Sequence, residues 1–269
     1  MIHEPASATT LAGAPNFRDL GGCAAAAGRT VRPGRIYRSQ VLTDATEQDL
    51  EVLRSLAIGA VLDLRDPEER HRRNRWPRGM PAQAIPVDAS RSVDRIRVAQ
   101  LRRWLQDPGF DESNARSLVM GMYREMPRAY APHLGALFTW LTERCRPPVL
   151  IHCEAGKDRT GFVCAVLLLA LGAPVEAVFA DYLLSRGRYR VSALRKVVGQ
   201  DLPASAGRAL RVIAAVDAEY LNAALLQIDA NHGSLEAYLR EGVGVTREQL
   251  RAVRSNVLDV DTHRVPRET

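Results

Sequence analysis

A ten-residue segment, residues 152–161 with the sequence HCEAGKDRTG, combines the residue types of a phosphate-binding loop with a nucleophilic thiol. Arg159 follows Cys153 by six positions, and Gly156 lies between them. A thiolate is a strong nucleophile, and a guanidinium group can bind two oxygens of a phosphate at once. This spacing of thiol, glycine and guanidinium predicts chemistry on phosphate esters.

The surrounding sequence predicts that this segment is a turn from a strand to a helix. Two prolines precede residues 149–151, a continuous apolar run typical of a buried parallel strand, and apolar residues recur at helical spacing from about Arg159 to Gly172. At such a turn the backbone N–H groups lack helical partners and the helix dipole adds positive charge. The turn therefore favours a bound anion and an ionised Cys153, and Gly156 gives the backbone the freedom to converge on phosphate oxygens.

The other residues of the segment allow more than one interpretation. The Thr160 hydroxyl can donate a hydrogen bond to the sulfur, whereas His152 either orders the backbone beneath the cysteine or is only a packing residue, because an ionised thiol needs no base. Lys157 either adds charge for a substrate with several phosphates or faces solvent. The backbone from Glu154 and Ala155 through Gly156 to Arg159 is expected to bind the phosphate group.

The predicted reaction also needs a carboxylic acid, because a thiolate can neither protonate a leaving alkoxide nor activate water. Asp158 is the nearest candidate, and it could also, or instead, cap the following helix. The sequence does not rank it against the competing acids Asp63, Asp66, Asp88 and Glu125. Arg65, two positions from Asp63, is a candidate supporting residue.

A second match to the same cysteine–arginine spacing shows that the spacing alone is a weak signal. Cys23 and Arg29 are also six positions apart, in a chain with 37 lysines and arginines. Glycines and a proline flank this second match on both sides, which predicts turns around a short hairpin and no catalytic site.

The loop segment resembles the signature of cysteine-based phosphatases. Its narrower form, HCxAGKDRTG, is similar to that of the atypical bacterial tyrosine phosphatases, which also act on phosphoserine, phosphothreonine and phosphoinositides. Further matches lie at residues 16–22, 37–39, 62–65 and 181–185, and the resemblance extends from about residue 13 to about residue 258. It implies a two-step reaction without metal or cofactor, in which Cys153 is the nucleophile, Arg159 binds phosphate, and Asp158 is an acid or base carried on the loop itself.

The length and periodicity of the chain predict one large α/β domain. Strand-like runs at residues 35–37, 60–64, 84–87 and 149–151 alternate with helical patterns, which predicts a mainly parallel central sheet flanked by helices, as in cysteine phosphatases. Helical patterns after residue 174, including one continuous pattern over 206–228, predict a helical C-terminal layer. Asp44 and Glu47 are the expected caps of the first helix.

The predicted domain covers residues 13–258, between a flexible N-terminus at residues 1–12 and a C-terminal tail at residues 259–269. Residues 90–131 contain no match to the family pattern, and we expect a lid or an insertion there.

The charge of the chain favours anionic partners, since its formal net charge is +6. Arginines cluster at residues 70–78 and 95–103, and the second cluster accompanies an apolar stripe of Val98, Leu101 and Leu105. Such a helix could contact an anionic membrane, close over an active site, or be an ordinary surface helix. No nucleic-acid-binding module is recognisable, so nucleic acid is not an expected partner.

Cysteine usage and hydropathy define the remaining expectations. Four cysteines without a CxxC pair argue against a disulfide framework and against a zinc site. The N-terminus lacks the pattern of a signal peptide, and the longest apolar run, residues 162–171, is too short to span a bilayer. A cytoplasmic location is the default expectation, with leaderless export left open, and the sequence does not define the oligomeric state.

Four functions fit these residues. The leading hypothesis is a phosphotyrosine or dual-specificity protein phosphatase, and the second keeps the same chemistry with phosphoinositide monophosphates as substrates. A phosphate-binding module without turnover is a third, although such a module has no need for both Cys153 and Arg159. Arsenate reduction is a fourth, and it would need a resolving cysteine close to Cys153.

Overall fold

Five strands form one sheet in the computed structural model, which describes residues 10–72, 76–77, 82–87, 98–199 and 201–259. The strands are β1 (Arg18–Asp19), β2 (Ile36–Ser39), β3 (Ala60–Asp63), β4 (Gln83–Ala84) and β5 (Val149–His152). Their order in the sheet is β1-β2-β5-β3-β4, with β1 antiparallel to β2 and all other neighbours parallel. The prediction of a mainly parallel sheet is confirmed, although β4 is shorter than the predicted strand over residues 84–87.

The central strand β5 is buried on both faces of the sheet, as its continuous apolar sequence predicts. Because successive side chains of a strand point to opposite faces, Leu150 packs with Tyr37 and Leu53 in a smaller core. Val149 and Ile151 point the other way, into the main core. The sheet is therefore sandwiched between helix α1 (Glu47–Ser55) on one side and the larger set of helices on the other.

Most helices follow β5 in the chain, which confirms the predicted helical C-terminal layer. None of the helices in the described ranges is both long and apolar enough to cross a membrane. The remaining helices are α2 (Pro67–Arg72), α3 (Val98–Gln106), α4 (Glu112–Thr142), α5 (Asp158–Ala170), α6 (Val175–Leu183), α7 (Val191–Val198), α8 (Ala206–Ala214), α9 (Ala218–His232), α10 (Leu235–Ala237) and α11 (Arg247–Val257), with a wider π-helical turn at Tyr238–Val243.

Helix α4 begins within residues 90–131, the segment in which the sequence predicts a lid or an insertion. The helix has 31 residues, and its residues 112–131 lie in that segment. Val119, Tyr123 and Met126 are buried in the main core, and the helix contacts α5, α8, α9 and α11. Two internal prolines, Pro127 and Pro132, interrupt the helical pattern in the sequence. Residues 112–131 are thus part of the domain's centre, whereas residues 88–97 lie outside the described part of the chain.

Three smaller expectations also need correction. Helix α1 is capped by Thr46, whose side chain accepts from the Asp49 amide, and not by Asp44 or Glu47, because Glu47 is already the first helical residue. The pattern over 206–228 is two helices, since the chain turns after α8 and Asp217 caps α9. Leu11, which the sequence assigns to a flexible terminus, is buried in the smaller core.

The hairpin predicted around Cys23 is confirmed, because Ala24 pairs with Thr30 in an antiparallel bridge. The end of the described chain packs against the same hairpin. Val31 pairs with Leu258, and the Asp259 amide donates to the Thr30 carbonyl at 2.9 Å. The packed part of the chain therefore includes Asp259, which the sequence assigns to the tail.

Helix α3 is the amphipathic helix that the sequence predicts, and its apolar side is already covered. Leu105 is buried in a satellite core with residues of α7 and α8, and Val98 and Leu101 pack against the same core. Arg102 and Arg103 are exposed. The apolar stripe therefore packs within the protein, and only the basic side of the helix faces solvent.

We predict that Asp49 is a main stabilising residue of the smaller core. Its carboxylate accepts hydrogen bonds from the amides of Ala12, Gly13 and Thr46 at 2.8–2.9 Å. Burial raises the pKa of Asp49, but these amide hydrogen bonds outweigh burial, so the pKa lies below its ordinary value. Asp49→Ala should lower the free energy of unfolding by about 1–3 kcal/mol at neutral pH.

Urea unfolding measures this loss, with Glu51→Ala, on the exposed side of α1, as the control. A carboxylate with a lowered pKa stabilises the folded state above its unfolded-state pKa and ceases to do so as the pH falls through its folded-state pKa. The difference between wild type and Asp49→Ala should therefore begin to shrink below about pH 4. Equal stability of the two alanine variants at neutral pH would contradict the prediction.

Candidate active site

The predicted phosphate-binding loop lies at the C-terminal edge of the parallel strands. Residues 153–157 join the end of β5 to the start of α5. Cys153 is buried, and the Gly156 amide donates to its sulfur at 3.2 Å. The loop is therefore the turn from a strand to a helix that the sequence predicts.

Gly156 is required by the close approach of the loop to the end of β2. Its φ is +67°, a conformation that residues with a side chain rarely adopt. A Cβ atom at this position would lie 2.4–2.5 Å from backbone atoms of Ser39 and Gln40. Only glycine lets the loop pack against β2 in this way.

A buried polar cluster, which we call the Asp181 cluster, lies beneath the loop and consists of Asn16, Arg18, Arg38, Asp181 and Ser185. One carboxylate oxygen of Asp181 accepts from Arg18 Nε at 2.8 Å, and the other accepts from Arg38 Nη1 at 2.5 Å. Arg18 also donates to the Asn16 side chain at 2.8 Å and to the Ser185 hydroxyl at 3.2 Å. These contacts join β1 and the residues just before it to β2 and to the C-terminal end of α6.

The Asp181 cluster holds the loop through hydrogen bonds to two carbonyl groups of the loop. Arg38 Nη2 donates to the Gly156 carbonyl, and Asn16 Nδ2 donates to the Ala155 carbonyl, both at 3.1 Å. Since a carbonyl and the next amide point in opposite directions, anchoring these two carbonyls below the loop directs the amides that follow toward the other side. The cluster therefore orients the amides for an anion.

The charges of the Asp181 cluster do not cancel, because two guanidinium groups share one carboxylate. Burial raises the pKa of Asp181, but the charges of Arg18 and Arg38 outweigh burial and lower it to about 2. Burial and the charge of Arg38 lower the pKa of Arg18 to about 10, which still leaves it charged at neutral pH. One positive charge therefore remains beneath the loop, where it favours a bound anion.

Arg159 is held by Glu69, a residue of α2 that the sequence analysis did not select. Nη1 and Nη2 of Arg159 donate to the two carboxylate oxygens of Glu69 at 2.5 and 2.7 Å. Burial raises the pKa of Glu69, but the Arg159 charge and hydrogen bonds lower it to about 2. At the start of α2, the Asp66 amide donates to the Glu69 carboxylate, and the Glu69 amide donates to the Asp66 carboxylate. In the sequence, this spacing indicates only a helix cap, so no signal links Glu69 to Arg159.

Asp158 is at the loop, but it is the first residue of α5 and not its N-cap. The N-cap position belongs to Lys157, which forms no side-chain capping bond. The Asp158 carboxylate accepts from the Tyr123 hydroxyl and from Lys157 Nζ, both at 2.8 Å. Its side chain is 22% exposed, so one part of the carboxylate remains accessible beside the loop.

Lys157 is buried, and the alternative of a solvent-facing lysine is wrong. In addition to Asp158, Nζ donates to the carbonyls of Ile213 and Ala215 at 3.0 and 3.1 Å. These carbonyls lie at the C-terminal end of α8, where a cation is favoured by unpaired carbonyls and the helix dipole. All three ammonium hydrogens thus have protein acceptors, which connect Asp158 to the junction of α8 and α9.

His152, Asp63 and Arg65 form a group on the β3 side of the loop. Arg65 binds both carboxylate oxygens of Asp63 at 2.8–3.3 Å, and burial raises the Asp63 pKa less than these hydrogen bonds lower it. Burial lowers the pKa of His152, whose Nδ1 lies 3.4 Å from the Cys153 carbonyl and whose Nε2 lies 3.8 Å from Asp63. Asp63 is therefore ionised and paired with Arg65, which makes it unsuited as a proton donor.

The other competing acids do not join the site in the described structure. Glu125 was a candidate supporting residue, but its side chain is 60% exposed and pairs with Arg128 on the outer side of α4. Asp66 caps α2, and Asp88 lies outside the described residues. Of the four competitors, the three that can be placed are thus engaged elsewhere.

The remaining loop residues are buried. Glu154 accepts from the Val41 amide through its carbonyl at 3.2 Å. The Thr160 hydroxyl is buried and has no hydrogen-bond partner among the described residues, so it is available to a group bound in the loop. Within the described ranges, no three His, Cys, Asp or Glu side chains are grouped closely enough to hold a metal ion.

Comparison with known proteins agrees with this geometry. The chain is 34% identical over 247 residues to a protein of Cupriavidus necator with a provisional tyrosine-protein phosphatase name, covering 88% of this chain and 84% of that protein. It is 31% identical over 277 residues to the triple specificity protein phosphatase PtpB of Mycobacterium tuberculosis, covering 92% and 98%. A tyrosine-protein phosphatase of Nostoc commune is 22% identical, covering 93% and 88%.

The assignment to a family rests on a sequence match that includes the whole described part of the chain. The model of the tyrosine phosphatase family matches residues 9–259, from before β1 to beyond α11. That range contains the loop, the Asp181 cluster and both helices that anchor Arg159 and Asp158. The resemblance read from the loop and the four distant segments is confirmed, and the chain belongs to the tyrosine phosphatase family.

Proposed function

We propose that the chain is a metal-independent phosphatase that hydrolyses phosphotyrosine monoesters through a cysteinyl-phosphate intermediate on Cys153. The observation that supports this most directly is the Gly156 amide at 3.2 Å from the Cys153 sulfur, in a loop whose carbonyls are anchored away from it. A nucleophile that accepts from a loop amide and lies six positions from an arginine of the same loop matches the needs of phosphoryl transfer, which depends on positioning and charge stabilisation.

Arg159 would bind the phosphate through the edge of its guanidinium group that carries Nε and Nη2. Glu69 occupies the end edge of the guanidinium, formed by Nη1 and Nη2. Among the described residues, no group hydrogen-bonds to Nε of Arg159, so the edge formed by Nε and the second hydrogen of Nη2 remains for two phosphate oxygens. Glu69 thus fixes the plane of the guanidinium without using the edge that the substrate needs.

The first step forms the phosphoenzyme. The Cys153 thiolate attacks phosphorus, the bond from phosphorus to the ester oxygen breaks, and protonated Asp158 gives its proton to the leaving oxygen. Arg159 and the loop amides stabilise the charge that spreads over the three remaining oxygens. Asp158 is the favoured acid because it lies on the loop with an accessible carboxylate, whereas Asp63 is held by Arg65 and Glu125 faces solvent.

The second step releases phosphate. The Asp158 carboxylate takes a proton from water, the water oxygen attacks phosphorus, and the bond between phosphorus and sulfur breaks to restore the thiolate. The unpartnered Thr160 hydroxyl can donate to the departing sulfur. Asp158 thereby acts as an acid in the first step and as a base in the second.

Phosphopeptides are the substrates that the site favours over lipids. Lys157 is fully engaged with Asp158 and α8, so it offers no free charge to a second phosphate, and the apolar stripe of α3 packs against α7 and α8. Contact with an anionic membrane would then rest on exposed arginines such as Arg102 and Arg103. Activity on phosphoserine and phosphothreonine is also proposed, because PtpB is named for triple specificity.

The first prediction concerns the nucleophile. The protein should hydrolyse p-nitrophenyl phosphate in the presence of a metal chelator, and Cys153→Ser should lower kcat by at least about a thousandfold. Cys145→Ser, which changes an exposed cysteine, is the control. Phosphopeptide binding without turnover in the wild type would instead support a phosphate-binding module.

The second prediction concerns the acid. Asp158→Asn should lower kcat/KM, which reports the steps up to formation of the phosphoenzyme, about 10²–10⁴-fold for substrates with poor leaving groups, and less for substrates whose leaving groups need no proton. A series of aryl phosphates measures this dependence, with Glu125→Gln as a matched control. An equal loss of activity for every substrate of the series would indicate that another residue is the acid.

The third prediction concerns Glu69. Loss of its charge removes the ion pair that orients Arg159, so Glu69→Gln should lower kcat/KM about 10- to 100-fold and weaken inhibition by inorganic phosphate. Glu68→Gln, at the exposed neighbouring position in α2, is the control. Identical kinetics of the two glutamine variants would show that Arg159 needs no such partner.

A further inference from the structure

Two buried tyrosines connect the Asp158 carboxylate to the interior of the protein. Tyr123 of α4 donates to Asp158 Oδ1 at 2.8 Å, and its hydroxyl oxygen lies 2.7 Å from the hydroxyl oxygen of Tyr182 of α6. Both side chains are fully buried. The rings meet edge to face, with centroids 6.5 Å apart, so packing as well as hydrogen bonding fixes their arrangement.

The direction of these hydrogen bonds follows from the number of hydrogens that each group can donate. Burial raises the pKa of both tyrosines, so both hydroxyls keep their protons at neutral pH. An ionised carboxylate only accepts, so Tyr123 gives its one hydrogen to Asp158. Tyr182 must then donate to Tyr123, and the chain of donors runs from Tyr182 through Tyr123 to Asp158.

We propose that Tyr123, supported by Tyr182, is a positioning residue that orients Asp158 and stabilises its ionised form for hydrolysis of the phosphoenzyme. This inference rests on the proposed role of Asp158 as acid and base. Tyr123 touches neither the loop sulfur nor the phosphate site in the described contacts, so it acts through Asp158. A donor fixed by two helices also limits the rotation of the carboxylate, which a donor on the loop alone could not do.

The proposed effect differs between the two chemical steps. Hydrolysis needs the Asp158 carboxylate, because the proton of the attacking water moves to it while the bond between phosphorus and sulfur breaks. A hydroxyl donor to the carboxylate favours this form. Formation of the phosphoenzyme from a substrate with a good leaving group needs no proton from Asp158, so it should depend far less on Tyr123.

Other charged and titratable groups surround Asp158 and would influence the same pH profile. Lys157 binds its carboxylate directly. Tyr220 of α9 packs against Tyr123, and Asp217, at the start of α9, and Arg116 of α4 influence Tyr220 electrostatically. Arg38 influences Tyr182 in the same way. A single tyrosine variant leaves all of these groups in place, so a change in the profile reports the missing hydroxyl.

The test is the pH dependence of kcat for Tyr123→Phe with p-nitrophenyl phosphate, combined with rapid-quench measurement of phosphoenzyme formation and decay. Loss of the donor should move the acidic limb of kcat to higher pH and slow decay about two- to tenfold. Phosphoenzyme formation should change little. Tyr182→Phe should shift the limb in the same direction by a smaller amount.

Tyr238→Phe is the matched control, because Tyr238 is equally buried and donates at 2.7 Å to the Pro127 carbonyl. Its loss should lower thermal stability without moving the pH profile. A Tyr123→Phe profile identical to that of Tyr238→Phe, with equal decay rates, would overturn the inference. If instead Asp158→Asn shows neither an altered profile nor dependence on the leaving group, the proposed role of Asp158 itself fails, and the two failures are distinguishable.

Discussion

The shared carboxylate of Asp181 is the interaction on which the site depends. Two arginines bind it in the protein interior. Arg38 also donates to the Gly156 carbonyl of the loop, and Arg18 binds Asn16, which donates to the Ala155 carbonyl. Such a cluster is tolerated in a low-dielectric interior only when nearly every donor and acceptor is satisfied. Its members come from β1 and the residues just before it, from β2, and from α6 and the residues just after it, so the geometry of the loop depends on the packing of distant parts of the chain.

The side chains of Asp158 and Arg159 are anchored in different directions. Arg159 is held by Glu69 from α2, next to β3, whereas Asp158 is held by Tyr123 from the central helix α4 and by Lys157, which reaches the end of α8. Each anchor lies in a separate element, so the guanidinium and the carboxylate are fixed independently of each other. Pre-organisation of this kind lowers the cost of arranging charges when a phosphoryl group is transferred.

The sequence predicts the parts of this arrangement that are local. Apolar runs, a breaker pair and helical spacing are enough to place the loop between β5 and α5, and the resemblance also finds residues 16–22, 37–39 and 181–185. It does not show that these segments meet, because the contact of Arg18 with Asp181 joins residues 163 positions apart. Helix α4 is missed because Pro127 and Pro132 break its pattern. The partners of Glu69 and Lys157 follow from tertiary packing, which leaves no periodic signal.

The missing side chain at Gly156 has a consequence for how such a protein can change over time. Ser39 and Gln40 occupy the space that a Cβ atom would need, so the end of β2 and the loop fit each other through backbone atoms alone. An overlap between a Cβ atom and backbone atoms cannot be relieved by exchanging neighbouring side chains. A substitution of Gly156 would therefore have to be accompanied by a shift of the β2 backbone, more than a hundred residues away in the chain.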